Sequence, residues 1–375
     1  MTRRSIPIAL VSLALAACGS AQAARSPGAS DRPTSTSPTT TEIPSRTSVA
    51  LSPCPDSGGA LPEPTGEYGV GTATLPGPAE LGHLAAYYPT SDCTGARPPY
   101  LRAELADALG VDSSLLDALV VHASSDVAPL TGAPRPVVVL APGWTSLVAL
   151  STSLATDLAS HGYVVVTVDP PLGTETTTFP DDAAASRRLK TLRAVLDLLD
   201  DPAIEAFTGP LDRSHIAAGG HSYAGSIAFQ LAQDDRRLVA VFDLDGVLRG
   251  AALDAPLRVP ALIVATSEGS ATDPSLSFVL AQSPNAVGLV VQHADHYDLT
   301  DVPALVGSLG ALTASLARGE IGVAAVDITN QLVRGFLDCV IKEASVTAQP
   351  CTPSAATLAA GLTDVAPLAD PPTTN

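Results

Sequence analysis

Short apolar runs alternate with stretches of helical spacing along most of this 375-residue chain, and no other feature constrains the fold as strongly. This alternation predicts a mostly parallel sheet that is covered by helices on both faces. One of the intervening helices is expected to end at Gly162, where glycine can adopt the left-handed conformation of a helix end. The predicted strands are His83–Tyr88, Pro136–Leu140, Tyr163–Val168, His215–Ala218, Leu238–Phe242, Ala261–Ala265 and Val287–Val291.

The composition excludes some classes of function. The chain is 46% hydrophobic and 15% charged, which predicts one large globular domain, and its formal net charge is −18 at pH 7. Such an acidic chain repels phosphate backbones. The local basic cluster is interpreted as the solvated face of a leucine-bearing helix, and it comprises Arg187, Arg188, Lys190 and Arg193. We therefore expect no nucleic-acid partner.

The first residues predict export. Arg3 and Arg4 precede an apolar run over residues 6–17, which is shorter than the roughly 20 residues that a membrane-spanning helix needs. Residues 15–18, Leu-Ala-Ala-Cys, resemble the lipobox of bacterial lipoproteins. We therefore predict a signal peptide over residues 1–17. We also predict that a lipid on Cys18 anchors the protein to the outer face of the bacterial cell membrane. The alternative is ordinary cleavage, which would leave Cys18 free and the protein secreted.

The remaining chain divides into three segments by composition. Residues 18–53 are rich in Ser, Thr, Pro and Ala, so they bury too little apolar surface to fold and are predicted to form a disordered tether. Residues 54–365 are predicted to be the folded domain. Residues 366–375 are predicted to be a disordered tail.

Four cysteines remain when Cys18 is set aside, and in an exported protein they suggest two disulfides. Four cysteines allow three pairings, and the sequence does not decide among them. We favour Cys54 with Cys93 and Cys339 with Cys351, which would tie down the two ends of the domain. No C-x-x-C motif or closely spaced Cys/His pair accompanies these residues, so no metal site is expected.

A glycine-rich turn at residues 220–225, Gly-His-Ser-Tyr-Ala-Gly, follows a predicted strand and opens an amphipathic stretch. This is the pattern of a nucleophile elbow, in which small residues flank the serine because strand and helix approach each other closely. Ala224 stands where the usual G-x-S-x-G motif has its second glycine. The turn makes Ser222 the candidate nucleophile, although an ordinary loop has a similar composition.

A candidate acid and a candidate base follow later strands. Asp245 follows the strand after the elbow, and His296 follows the last predicted strand. The order Ser, Asp, His along the chain is the order that α/β-hydrolases use. Because the carboxyl ends of parallel strands lie at one edge of the sheet, the three side chains are expected to meet there.

Alternatives exist for both partners. Asp243 lies two residues before Asp245 and points to the same side while the strand lasts, and His293 could replace His296 as the base. Asp298 and Asp301 are predicted to be helix or turn caps. The other histidines are expected to be structural, because an isolated histidine usually finds a local partner, and they are His83, His122, His161, His215 and His221.

Motifs spread over residues 84–314 match one family. They are Tyr87–Tyr88–Pro89, a helical insertion over 98–130, the strand at 136–140, residues 157–163, the elbow, Leu244–Asp245, and His296 shortly before Thr300–Asp301. On these motifs the chain resembles the plasma-type platelet-activating-factor acetylhydrolases and their bacterial relatives, within the α/β-hydrolase superfamily. The resemblance implies the α/β-hydrolase fold, with Ser222 as nucleophile, Asp245 as acid and His296 as base. It thereby favours Asp245 over Asp243 and His296 over His293.

One loop departs from that family. The family commonly has a His-Gly pair after the third strand, and the next residue donates a backbone N–H to the oxyanion hole. Here the loop reads Pro142–Gly143–Trp144. Because the donor is a backbone amide, the resemblance still implies Trp144 and Tyr223 as oxyanion donors. Trp144 could also be a buried loop anchor, and the polar segment 174–180 is either the mouth of the site or a surface loop.

These patterns predict a serine esterase that acts through an acyl-enzyme on short-chain or acetyl esters. A phospholipid-like substrate is implied by the resemblance alone. We expect a monomer that needs no cofactor and whose partners are an ester substrate and, through Cys18, the membrane. Two alternatives remain. One is a cutinase-like polyester hydrolase, and the other is an inactive, surface-anchored binding lipoprotein that keeps the hydrolase scaffold.

Overall fold

The computed structural model describes residue 54 and residues 58–175, 180–309, 316–343, 351 and 353–368. Cys18, the predicted signal peptide and the predicted tether lie outside the described residues. None of the helices in these ranges has the length and hydrophobicity that a membrane span needs.

A mixed sheet of ten strands runs through the described domain, in the spatial order β10-β9-β8-β7-β6-β4-β5-β2-β1-β3. Strands β4 to β9 are mutually parallel, whereas β2 is antiparallel to both of its neighbours and β10 is antiparallel to β9. Each predicted strand is found here. The strands are β1 (Gly69–Thr74), β2 (His83–Thr90), β3 (Ser124–Ser125), β4 (Arg135–Ala141), β5 (Val164–Asp169), β6 (Leu211–His221), β7 (Leu238–Leu244), β8 (Ala261–Thr266), β9 (Ala286–Val291) and β10 (Val365–Pro367).

Helices lie on both faces of this sheet, which confirms the predicted fold class. The α-helices of the described residues are α1 (Ala103–Leu109), α2 (Thr152–Ser160), α3 (Asp182–Leu199), α4 (Glu205–Thr208), α5 (Tyr223–Asp234), α6 (Pro274–Gln282), α7 (Val302–Leu309), α8 (Ala324–Leu337) and α9 (Ala355–Leu358). Short 3-10 turns at Val148–Ser151, Ser270–Thr272 and His296–Leu299 follow strand ends near the candidate site.

The central strands are buried on both faces, because successive side chains point to opposite sides and helices cover each side of the sheet. Val137 and Val139 of β4 pack in the layer that contains α3, α5 and α6. Val138 and Leu140 pack in the opposite layer, with α2 and α8. This explains why the strands are continuous apolar runs in the sequence.

The predicted helical insertion over 98–130 is mostly irregular. It contains the seven-residue helix α1 and a 3-10 turn at Ser113–Leu116, together with the short strand β3. Leu105 and Leu116 pack with Val302 and Leu305 in a third apolar cluster. Burial of a few leucines against α7 therefore holds the insertion in place.

The two ends of the domain are each closed by a disulfide. Cys54 bonds to Cys93 and Cys339 bonds to Cys351, which is the pairing that the sequence analysis favoured. Strand β10 includes Ala366 and Pro367, so the domain boundary predicted at residue 366 falls inside this strand. Residues 369–375 of the predicted tail lie outside the described residues.

Candidate active site

Ser222 stands at the sharp turn between β6 and α5. Its φ and ψ are 58° and −122°, and the helix begins at the next residue. The Ser222 N–H donates to Leu244 O at 2.8 Å, so the turn is tied to the neighbouring strand β7. A non-glycine residue at this φ is uncommon, and such backbone strain gathers at functional sites.

Gly220 explains why the elbow tolerates an alanine. A Cβ atom on Gly220 would lie 2.3 Å from Ala141 O and 2.9 Å from Ala224 Cβ, and the φ of Gly220 is 153°. Glycine is therefore required at position 220. The methyl group of buried Ala224 occupies the space that this glycine leaves, so the second glycine of the usual motif is not needed here.

Asp245 lies at the end of β7 with a buried carboxylate and a φ of 55°. Its Oδ1 accepts hydrogen bonds from Thr266 N at 2.7 Å, Ser270 N at 2.9 Å and Ser270 Oγ at 2.7 Å. Burial acts to raise the pKa of Asp245, but the bond and charge of His296, together with the Ser270 donors, outweigh it and lower the pKa. The carboxylate is therefore held ionised.

His296 contacts this carboxylate, and His293 does not. The His296 Nδ1 lies 2.7 Å from Asp245 Oδ2, and the His296 side chain is 34% exposed. His293 is 60% exposed, and its Nδ1 lies 3.8 Å from Glu320. Because Nδ1 of His296 faces a carboxylate, Nε2 is the ring nitrogen that can accept a proton.

Asp243 is buried beneath the elbow in a different environment. Its Oδ2 accepts from Gly246 N at 3.0 Å, whereas Oδ1 has no hydrogen-bond partner among the described residues. Burial, followed by the negative charge of Asp245, raises the pKa of Asp243 well above its usual value. Of the two candidate acids, Asp243 is therefore the one whose surroundings favour the protonated form.

His221 contacts both the backbone and the ring of His296. The His221 Nε2 lies 2.7 Å from His296 O, and the two rings are 4.4 Å apart. Burial and the neighbouring His296 lower the pKa of His221 to about 3, so this ring stays neutral. Tyr297 packs edge-on against His296, with ring centroids 5.1 Å apart.

The loop after β4 lies against the elbow. A Cβ atom on Gly143 would lie 3.3 Å from Ser222 Cβ, so the Gly143 backbone directly borders the serine. The ring of half-buried Trp144 meets Tyr223 in a T-shaped contact with centroids 5.4 Å apart. Thr145 has a φ of 54°, which is rare for a β-branched residue.

Comparisons with known proteins find similar sequences and a similar fold. Residues 128–301 match a family model described as PET hydrolase-like. Cutinase 2 from Thermobifida cellulosilytica is 35% identical over 107 residues, which are 28% of this chain and 38% of that protein. Cutinase cut1 from Thermobifida fusca has the same identity over 107 residues, which are 31% of its length. The matched part therefore spans about a third of these curated relatives.

A solved structure extends the likeness to most of the chain. The ferulic acid esterase from Streptomyces cinnamoneus superposes with a TM-score of 0.64 at 25% identity, over 84% of this chain and 100% of that one. The protein has the α/β-hydrolase fold. In this fold the loops after the parallel strands carry the site. Residues with positive φ mark four of these loops, at Thr145, Ser222, Asp245 and His293.

Arg188 and Glu175 contact the loop after β4, a role that the sequence analysis assigned to neither. Arg188 was assigned to a solvated helix face, but it is 6% exposed and donates to Pro142 O and Gly143 O, both at 3.1 Å. Its signal was present in the sequence, because Arg188 lies four residues before buried Leu192 and four after buried Ala184. Glu175, which pairs with Arg188, had no such signal.

The two aspartates that were predicted to be caps behave differently. Asp298 takes part in a capping box with Asp295, as predicted. Asp301 precedes α7, but its buried carboxylate turns to Ser153 N, at 3.2 and 3.3 Å, and to Tyr100 Oη, at 3.2 Å. Burial raises the pKa of Asp301 to about 7. No group of three or more His, Cys, Asp or Glu residues in the described ranges is arranged to hold a metal ion.

Proposed function

We propose that this protein is a serine carboxylic-ester hydrolase that acts on short-chain or acetyl esters. The observation that carries the proposal is the 2.7 Å contact between His296 Nδ1 and Asp245 Oδ2, beside the elbow that presents Ser222. A serine hydroxyl is a poor nucleophile at neutral pH, so it needs a base whose tautomer is fixed by a carboxylate. Asp245 has the burial, ionisation and hydrogen bonds that this role requires.

In the proposed reaction, Ser222 Oγ attacks the ester carbonyl carbon while His296 Nε2 takes the hydroxyl proton. The resulting imidazolium then protonates the leaving alcohol, and the acyl group stays on Ser222. His296 next takes a proton from water, which attacks the acyl-enzyme and releases the carboxylic acid. Asp245 keeps Nδ1 protonated throughout and stabilises the charged ring.

Two backbone amides would hold the oxyanion that forms in each step. Tyr223 is the first residue of α5, so its N–H lies at the positive end of the helix. Trp144 follows Gly143, whose backbone borders Ser222. Loss of one such donor typically costs about 10² to 10³ in turnover, so the loop after β4 matters almost as much as the triad.

The substrate class is narrowed by the openness of the site. His296 is 34% exposed and Ser222 is half-buried, so among the described residues the serine is open to the ester bond of a long or surface-bound molecule. A cutinase-like polyester hydrolase is the second candidate, and the PET hydrolase-like match and the cutinase relatives favour it. A phospholipid-like acetyl ester is supported only by the resemblance of Leu244–Asp245 and the other motifs to the acetylhydrolases.

A fluorophosphonate probe tests the reaction class. Labelling of the wild type but not of Ser222→Ala would support the enzyme, whereas a folded wild type that stays unlabelled would support an inactive binding lipoprotein. A panel of p-nitrophenyl esters of increasing acyl length then ranks the substrates. Polyester film and vesicles that contain an acetylated phospholipid separate the two finer candidates. A polyester hydrolase is expected to release product from the film only, and an esterase for phospholipid-like acetyl esters from the vesicles only.

The site of action is proposed to be outside the cell. Two disulfides fit an oxidising compartment, and the lipobox-like residues 15–18 would place a lipid on Cys18. The proposed enzyme acts as a monomer, and no second copy is needed to complete the site, since all groups that the mechanism uses come from one chain. Incorporation of labelled palmitate in the wild type but not in Cys18→Ala tests the anchor, and release of the wild type into the medium without lipid would refute it.

A further inference from the structure

A buried arginine holds the loop that borders Ser222. Arg188 lies on α3 and uses both terminal nitrogens on this loop, since Nη1 donates to Pro142 O and Nη2 donates to Gly143 O, each at 3.1 Å. Its side chain is 7% exposed. Water therefore competes little for these bonds, and the rigid guanidinium fork fixes the separation of the two carbonyls.

Glu175 completes the contact from the other side. Its Oε1 accepts from Arg188 Nε, and its Oε2 accepts from Thr145 N at 2.8 Å. Arg188 and Glu175 together, here named the loop clamp, thus bind both ends of the four-residue loop from Pro142 to Thr145. Thr145 has a φ of 54°, and the bond to its N–H holds this otherwise unfavourable conformation.

The clamp also sets the direction of one particular amide. In a trans peptide the C=O and the N–H point in opposite directions, and the described residues contain no cis peptide. Arg188 binds Gly143 O, so the N–H of the same peptide unit, which belongs to Trp144, points away from Arg188. Gly143 itself lies against Ser222. A charged donor on the carbonyl also polarises the peptide, which strengthens its N–H as a donor.

We propose that the loop clamp of Arg188 and Glu175 positions and polarises the Trp144 N–H as an oxyanion donor. Both residues are positioning residues, since they act through the backbone of the loop. The role presupposes the ester hydrolysis proposed above.

The test replaces each member of the clamp conservatively. Arg188→Lys keeps the charge but loses the fork, so one ammonium cannot hold both carbonyls in the same geometry. We expect kcat for p-nitrophenyl acetate to fall by about 10- to 100-fold, below the loss of a whole donor, with KM changed less than about threefold. Glu175→Gln keeps the shape but removes the charge and one of the two hydrogen-bond acceptors, and kcat is expected to fall by about tenfold.

A transition-state mimic distinguishes an oxyanion effect from a general loss of structure. A trifluoromethyl ketone forms a hemiketal oxyanion on the serine, so its affinity should fall by the same factor as kcat/KM in both variants. Arg193→Lys is the matched control, because Arg193 lies on the same helix but is 41% exposed and pairs with Asp234 at the surface. This control should match the wild type in kcat, inhibitor affinity and melting temperature.

The single tryptophan of the chain gives a readout that does not depend on activity. Since Trp144 lies on the clamped loop, acrylamide quenching of its emission should rise clearly in Arg188→Lys and stay unchanged in Arg193→Lys. If the wild type hydrolyses no ester, the proposed function fails, and quenching alone still tests whether the clamp holds the loop.

The opposite results would overturn the role of the clamp. Turnover within twofold of the wild type in both clamp variants would refute it, whatever the fluorescence shows. Unchanged quenching in a variant with reduced turnover would also refute it, because the loss would then not come from the loop. Should Arg188→Lys fail to fold, Glu175→Gln carries the same comparisons.

Discussion

Replacement of Asp245 by asparagine tests the proposed triad through the direction of one hydrogen bond. Three donors surround Asp245 Oδ1, namely Thr266 N, Ser270 N and Ser270 Oγ, at 2.7 to 2.9 Å. An amide nitrogen cannot accept from any of them, so the asparagine oxygen must occupy this position. Its NH₂ group then faces His296 Nδ1, which lies 2.7 Å from Oδ2 in the wild type.

This orientation forces the wrong tautomer on His296. Because Nδ1 must accept a hydrogen bond from the amide, the ring proton moves to Nε2, and Nε2 can no longer take the Ser222 proton. We expect kcat for p-nitrophenyl acetate to fall about 10⁴-fold, which corresponds to about 5.5 kcal/mol of transition-state stabilisation, with KM nearly unchanged. Steady-state kinetics on the folded variant measures this loss.

Asp243→Asn is the matched control for this prediction. The Asp243 carboxyl has a pKa well above its usual value, because it is buried and lies near Asp245, so a neutral amide has the shape and charge of the form that its surroundings favour. We expect kcat to stay within about fivefold of the wild type. A large loss in Asp243→Asn, together with a small one in Asp245→Asn, would refute the assignment of the acid.

Three further predictions concern stability. Burial raises the pKa of Asp301 to about 7 from its usual value of 3.8, so the folded state retains a proton that the unfolded chain loses. Stability should therefore fall as pH rises from about 4 to 7. If urea unfolding of Asp301→Asn shows the same dependence on pH as the wild type, this prediction is wrong. Removal of the disulfide Cys54–Cys93, which closes a sequence separation of 39, should lower the free energy of unfolding by about 4 kcal/mol. Removal of Cys339–Cys351, with a separation of 12, should lower it by about 3 kcal/mol, and the reverse ranking would contradict the argument from loop length. Gly220→Ala would place a Cβ atom 2.3 Å from Ala141 O, so we expect denaturant unfolding to show a free energy of unfolding lower by about 2 to 3 kcal/mol. A stability equal to that of the wild type would show that the elbow is not tightly packed.

The central strands could be predicted from the sequence because their packing leaves a direct mark on it. Strands buried on both faces are continuous apolar runs, as at Val137–Leu140, and these runs lie within the observed β4. The edge strands β3 and β10 were not predicted, nor was β1, which lies between β2 and β3. Their stability depends on neighbours that are distant in the sequence, and β3 has only two residues.

The choice between the candidate acids could not be made from strand alternation. Alternation places Asp243 and Asp245 on one side only while the strand continues, but β7 ends at Leu244 and Asp245 has a φ of 55°. The turn therefore directs Asp245 to His296 and leaves Asp243 beneath the elbow. The resemblance to a known family favoured Asp245, whereas local residue patterns left both candidates open.

Arg188 shows a different limit of prediction from the sequence. Its basic neighbours Arg187 and Lys190 are exposed, which made the cluster look like a solvated face, while the spacing of Arg188 from Ala184 and Leu192 places it on the buried side of α3. A charged residue within an apolar stripe needs a buried partner. The partners are Glu175 and two backbone carbonyls, which helical periodicity cannot reveal.

A crystal structure of the protein after reaction with diethyl p-nitrophenyl phosphate tests the triad and the oxyanion hole together. We predict phosphorus bonded to Ser222 Oγ, the His296 ring beside it and still paired with Asp245, and the phosphoryl oxygen about 2.7–3.1 Å from the amide nitrogens of Trp144 and Tyr223. An adduct on another residue, or a phosphoryl oxygen directed away from both amides, would contradict the proposed hydrolase site.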